Sequence, residues 1–98
     1  ISIDMAILVK VSKQSQRIAH VNPKGRVFSY NELKNIVGIP DCRFVANEEV
    51  CFVMCHHAKD NGLPLNLTAS VFYQLLADTP NDEYLYGNVL ICRTKEMM

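Results

Sequence analysis

The segment EYLYGNVLICR, Glu83 to Arg93, contains four consecutive apolar residues, Val89 to Cys92. Side chains of a strand point alternately to its two faces, so a strand apolar on both faces must be covered on both. This segment predicts an interior strand of a sheet with further structure packed above and below it.

The remaining segments supply candidates for that cover. Met5 to Val11, MAILVKV, is rich in apolar and β-branched residues and predicts a strand. Arg17 to Val21, RIAHV, predicts a weaker one. Asn22 to Gly25, NPKG, is turn chemistry, with Pro23 presetting φ and Gly25 tolerating positive φ. A helix is expected over SYNELKNIVG. Ser29 and Glu32 form a capping-box pattern, Tyr30, Leu33, Ile36 and Val37 share a face, and Gly38 and Pro40 stop the helix. CRFVA and VCFVMCH are β-like runs joined by Asn47 to Glu49, a hairpin signal. LTASVFYQLLAD predicts a second helix capped by Asn66 or Thr68. In it Leu67, Val71 and Leu75 repeat every four residues, with Phe72 and Leu76 beside them. TPND then makes a turn. The expected order is β-β-α-β-β-α-β in a single α+β domain over residues 1–98, one mixed or antiparallel sheet with about two helices packed on it.

Composition narrows the function. A chain of 98 residues that is 49% hydrophobic and 20% charged belongs with folded proteins. Ten basic and ten acidic residues cancel, whereas a protein neutralising many phosphates carries a basic excess, so nucleic acid is not the expected partner. Lys10, Lys13, Arg17, Lys24 and Arg26 still crowd one N-terminal third, read here as a solvated face. No apolar run approaches the ~20 residues of a membrane span, and no signal peptide is visible. The four cysteines, Cys42, Cys51, Cys55 and Cys92, are therefore expected as reduced thiols in a cytosol.

Met54 to Asn66, MCHHAKDNGLPLN, gathers the most reactive side chains. Cys51 and Cys55 on one strand would lie about 13 Å apart, too far for one zinc ion to bridge. His56 and His57 would point to opposite faces of that strand. Cys55 beside His56 in sequence lacks the histidine in hydrogen-bond reach that a nucleophilic cysteine needs. No cofactor, metal or catalytic residue is expected. Lys59 and Asn61 sit where a strand gives way to a loop, and Asn66 at a helix entrance offering free backbone N–H groups to an anion. These three are the candidate ligand-binding residues. Tyr84 and Tyr86 alternate on one face of the last strand and are the candidate interface residues.

The helix YNELKNIVG ending in Val37 and Gly38, the turn Asn47 to Glu49, the Leu63 to Asn66 segment and the closing Gly87 to Ile91 together carry a resemblance. From about residue 28 onward the chain resembles an uncharacterised family, a domain of unknown function, of small proteins from bacteriophages, other large DNA viruses and mobile elements. The resemblance implies an accessory protein acting in the cytoplasm of a host cell, and supplies no reaction. The expected function is non-catalytic binding that modulates a host protein, in host takeover or anti-defence. The alternatives are a binder sequestering a nucleotide immune signal, and a small enzyme using Cys55 or a histidine. The expected partners are a host protein or a nucleotide-like small molecule, with no membrane; an exposed edge strand would pair two copies into a homodimer.

Overall fold

The computed structural model describes residues 5–12 and 15–97; Lys13 of the basic cluster lies outside them. Five strands form one sheet in the order β2-β1-β7-β4-β3: β1 is Ala6–Val11, β2 Gln16–Val21, β3 Pro40–Val45, β4 Val50–Cys55 and β7 Val89–Arg93. Every neighbouring pair is antiparallel. Two-residue strands β5, Leu65–Asn66, and β6, Leu85–Tyr86, pair in a second small sheet. Helix α1 spans Tyr30–Val37 and α2 spans Leu67–Leu76. The expected α+β class holds, and the expected element order holds approximately, with the short strands β5 and β6 in addition.

The expected interior strand is β7, at the centre of the sheet. Leu90 and Cys92 join Leu8, Cys51 and Val53 in a core closed by Leu33 and Val37 of α1. Val89 and Ile91 face the other way, with Val9, Phe52 and Met54, into a core closed by Ala69, Phe72, Tyr73 and Leu76 of α2. The period-2 alternation of β4 and β7 thus feeds one core on each face, each covered by one helix. Burial of a side chain such as Phe52 or Leu90 contributes roughly 1.5–3 kcal/mol.

Both helix starts follow their expected chemistry. The Ser29 hydroxyl accepts from the Glu32 N–H at 3.2 Å, and the Glu32 carboxylate accepts from the Ser29 N–H at 3.1 Å. The backbone N–H groups of Ser29 and then Lys24, both donating to its carboxylate, hold the Glu32 pKa below its ordinary value. A lowered carboxyl pKa stabilises the fold above the unfolded-state value and ceases to do so as pH falls through the folded one. Gly38 leaves α1 with φ of 98°, and a Cβ there would stand 3.1 Å from the Cys55 sulfur. Gly25, by contrast, does not use positive φ.

Asn66 caps α2 and does more. Its Oδ1 accepts from the Ala69 N–H at 3.0 Å, while its Nδ2 donates to the carbonyls of Val9 at 2.9 Å and Gly87 at 2.8 Å. Ser70 adds a second tie, accepting from the Leu85 N–H at 2.7 Å. The small side chains of Ala69 and Ser70 are fully buried, so α2 turns its 69–72–73–76 face inward. The Leu67, Val71, Leu75 repeat therefore marks the helix but not its buried face; all three are exposed.

The β3–β4 hairpin forms as expected, through an unusual turn. Ala46, Asn47 and Glu48 all adopt the left-handed region, with φ of 52°, 57° and 66°. Such backbone costs roughly 1–2 kcal/mol per residue. The turn is held by outside bonds: Ala46 N–H to Leu76 O at 3.1 Å, Asn47 N–H to an Asp78 carboxylate oxygen at 2.8 Å, and Glu49 O from Thr94 N–H at 2.9 Å.

Asn66→Ala removes a cap and leaves two buried carbonyls unpaired, so it is expected to lower unfolding stability by about 3–4 kcal/mol. Asn66→Asp keeps the capping oxygen but loses both donors, and urea denaturation should place it near the alanine variant rather than near the natural protein.

Candidate functional site

Cys55 ends β4, and the chain then folds through a compact run of turns to Gly62. The His56 N–H donates to Ile39 O at 2.7 Å, and the Asn61 N–H to His57 O at 3.0 Å. His57 has φ of 55°, which reverses the chain immediately after the strand. The two imidazoles consequently do not diverge as a continued strand would require; their centroids are 3.9 Å apart at a 60° tilt. Each faces its own carboxylate, His56 Nδ1 at 3.5 Å from Asp41 and His57 Nδ1 at 3.6 Å from Asp60.

These residues form one wall of a cleft of about 360 Å³. Asp41 and Arg43 of β3 contribute from the α2 side of the sheet, since they register with Met54 and Phe52. Glu83, Tyr84 and Tyr86 close the cleft from the other side. Arg43 forms an ion pair with Glu83 and lies 5.7 Å from the Tyr73 ring centroid. Lys59 Nζ stands 6.0 Å from the Tyr86 ring centroid, at the outer range of a cation–π contact. Both walls offer hydrogen-bonding groups of either charge beside aromatic faces.

The candidate residues separate on this geometry. Lys59, Tyr84 and Tyr86 meet at the cleft. The tyrosines are not on a face of the last strand, however, because that strand breaks. Gly87, at φ of 76°, donates to Pro64 O at 2.7 Å, and β7 begins only at Val89. The positive φ favours glycine at position 87, and a Cβ there would also stand 2.8 Å from Leu63 Cδ1, which would have to shift. Asn61 is exposed and directs its amide back to His56 O at 3.5 Å. Asn66 has 0% exposure, and both hydrogens of its amide are committed inside the fold. The ligand-facing role considered for Asn66 is closed by that burial, leaving the capping role. Asp41, Arg43 and Glu83 were not among the sequence candidates. The D-x-R alternation of β3 is the one sequence signal for Asp41 and Arg43, and only the register with β4 shows which face those two share.

The hydrogen bond of the Cys55 thiol is to the His56 carbonyl at 3.5 Å, not to an imidazole. Among the described residues, no three His, Cys, Asp or Glu side chains converge on a point suited to a metal ion. Cys51 and Cys92 are direct cross-strand partners, both buried. The hydrogen bond that the Cys51 thiol makes to Cys92, then burial, push the Cys51 pKa far up. Burial, then the neighbouring Cys51, push Cys42 up to about 11. No family profile, curated protein or solved structure matches this chain.

A thiol reacts as its thiolate, so a raised pKa slows it. At pH 8, Cys42 in the folded protein should alkylate with iodoacetamide about 100-fold more slowly than an ordinary thiol of pKa 9.0, the rise being to about 11. Cys51 and Cys92 should label only on unfolding, as read by peptide mass spectrometry with and without denaturant.

Proposed function

We propose that this chain is a non-catalytic accessory protein, of viral or mobile-element origin, that binds a host protein in the host cytoplasm and modulates it. The outer face of α2 carries the reading. Leu67, Val71 and Leu75 are 51%, 45% and 70% exposed at successive turns of a helix whose opposite face is already spent on the core. An apolar stripe kept in water costs solubility, and such surfaces characteristically serve docking. Helix faces with anchors at this spacing fit hydrophobic grooves on partner proteins. The family resemblance gives the viral and host setting.

A second reading is favoured by the cleft. Its volume of about 360 Å³ lies in the range of small-ligand sites. Lys59 above Tyr86 beside two imidazoles would suit a nucleotide-like molecule, with its base on the aromatic face and its phosphate toward the cations. Binding in this reading sequesters the nucleotide without altering it.

The double variant Val71→Glu, Leu75→Glu separates the two. Both side chains are exposed, so the fold should be retained within about 0.5 kcal/mol per site by denaturation. A host protein captured by the natural chain should bind the variant at least about tenfold more weakly, the scale of a lost interface anchor. Equal binding by the variant would sink the docking reading. Lys59→Gln should leave host-protein binding intact but reduce the thermal shift produced by nucleotides.

A further inference from the structure

The turn end of β1 and β2 holds a second hollow, distinct from the cleft and from α2. Its volume is about 320 Å³, and Lys10, Val11, Ser12, Ser15, Arg17 and Asn88 line it. Lys10 and Arg17 are direct cross-strand partners, so their side chains leave the same face of the sheet side by side. Like charges placed opposite each other in a sheet destabilise it. Among the described residues, the four ion pairs engage Arg43, His56, His57 and Arg93, and none engages Lys10 or Arg17. Two adjacent cations with no carboxylate paired to them among the described residues suit an anion, and a sheet left to itself disfavours them.

The other lining groups are suited to donate. The Ser12 N–H closes the turn on Ser15 O at 2.9 Å, which brings the two hydroxyls to 3.2 Å of one another. Asn88 Oδ1 accepts from the Val11 N–H at 3.0 Å, and this fixes which way its amide points. Its Nδ2 reaches only the Ile36 carbonyl, at 3.5 Å, the outer limit of a hydrogen bond. Two cations, two rotatable hydroxyls and one weakly used amide donor therefore border the same space.

We propose that this hollow binds the phosphate group of a small molecule, with Lys10 and Arg17 supplying the charge and Ser12, Ser15 and Asn88 the hydrogen bonds. Paired cations and hydroxyls match a tetrahedral oxyanion better than a planar carboxylate. A polyanion such as nucleic acid is disfavoured, since the chain as a whole carries no net charge. The inference stands apart from host-protein docking by α2 and from the Lys59 cleft.

The test is thermal unfolding of the full chain with inorganic phosphate, at ionic strength held constant with sodium chloride. Phosphate at about ten times its Kd should raise Tm by roughly 6 to 11 °C for a domain of this size. Lys10→Gln and Arg17→Gln should each weaken phosphate at least tenfold, and Lys59→Gln should leave it unchanged. In phosphate-free buffer both charge-removing variants should melt higher than the natural protein, because the repulsion is relieved. This arm separates the proposal from the alternative service of these cations. Asn88 of the hollow also reaches the carbonyl end of α1 at Ile36 O, and a Lys10→Gln variant that melts lower would show that the cations serve that helix end instead. That result would overturn the proposal. So would a phosphate shift equal to that of chloride, a shift surviving in the Lys10→Gln, Arg17→Gln double variant, or tighter binding of a single-stranded oligonucleotide with a salt dependence of several phosphates.

Discussion

The buried amide of Asn66 adds hydrogen bonds between elements that also pack together in the α2-side core. One side chain caps α2 through Ala69, ties the helix start to β1 at Val9, and ties it to the strand interruption at Gly87. All the hydrogen-bonding capacity of its Nδ2 is spent inside protein, which makes the residue costly to replace and precise in what it positions. Ser70, one turn along, repeats the strategy by linking α2 to Leu85. Polar ties of this kind set where α2 crosses the sheet, and the apolar contacts of Ala69, Phe72 and Leu76 then fill the space.

The two candidate binding surfaces follow from that anchoring. Since Ala69 and Ser70 face the sheet, the helix must present Leu67, Val71 and Leu75 to water. Because the strand is interrupted at Gly87, Glu83 to Tyr86 are lifted off the main sheet and brought across from His56, His57 and Lys59, forming the cleft. The left-handed turn at Ala46 to Glu48 is strained in isolation and persists through bonds from the end of α2 and from Thr94.

Much of the architecture was legible in the residues. The capping box at Ser29 and Glu32, the stop at Gly38, the hairpin about Asn47 to Glu49 and the two-faced apolar run at Val89 are local signals, and each names its element. The candidate site was legible only in part. Lys59, Tyr84 and Tyr86 are surface types in loop-rich stretches, and they do meet. The face of α2 was not legible, because the helix is apolar nearly all round and periodicity cannot choose between two apolar faces. Asn66 carries a residue type equally suited to capping a helix and to greeting a ligand; its burial decides between them.

The sequence by itself determined the element types and their order, because capping, turn chemistry and period-2 or period-3.6 patterning act over a few residues. It also determined that one strand must lie inside the sheet, because no single-sided cover can bury Val89 to Cys92. Tertiary structure alone decided which strands neighbour that one, where the last apolar segment breaks, which side of α2 meets water, and that Lys10 and Arg17 stand opposite each other. Those outcomes depend on register and on hydrogen bonds between residues as far apart as Val9 and Asn66, and such long-range pairings leave no pattern in any short stretch of chain.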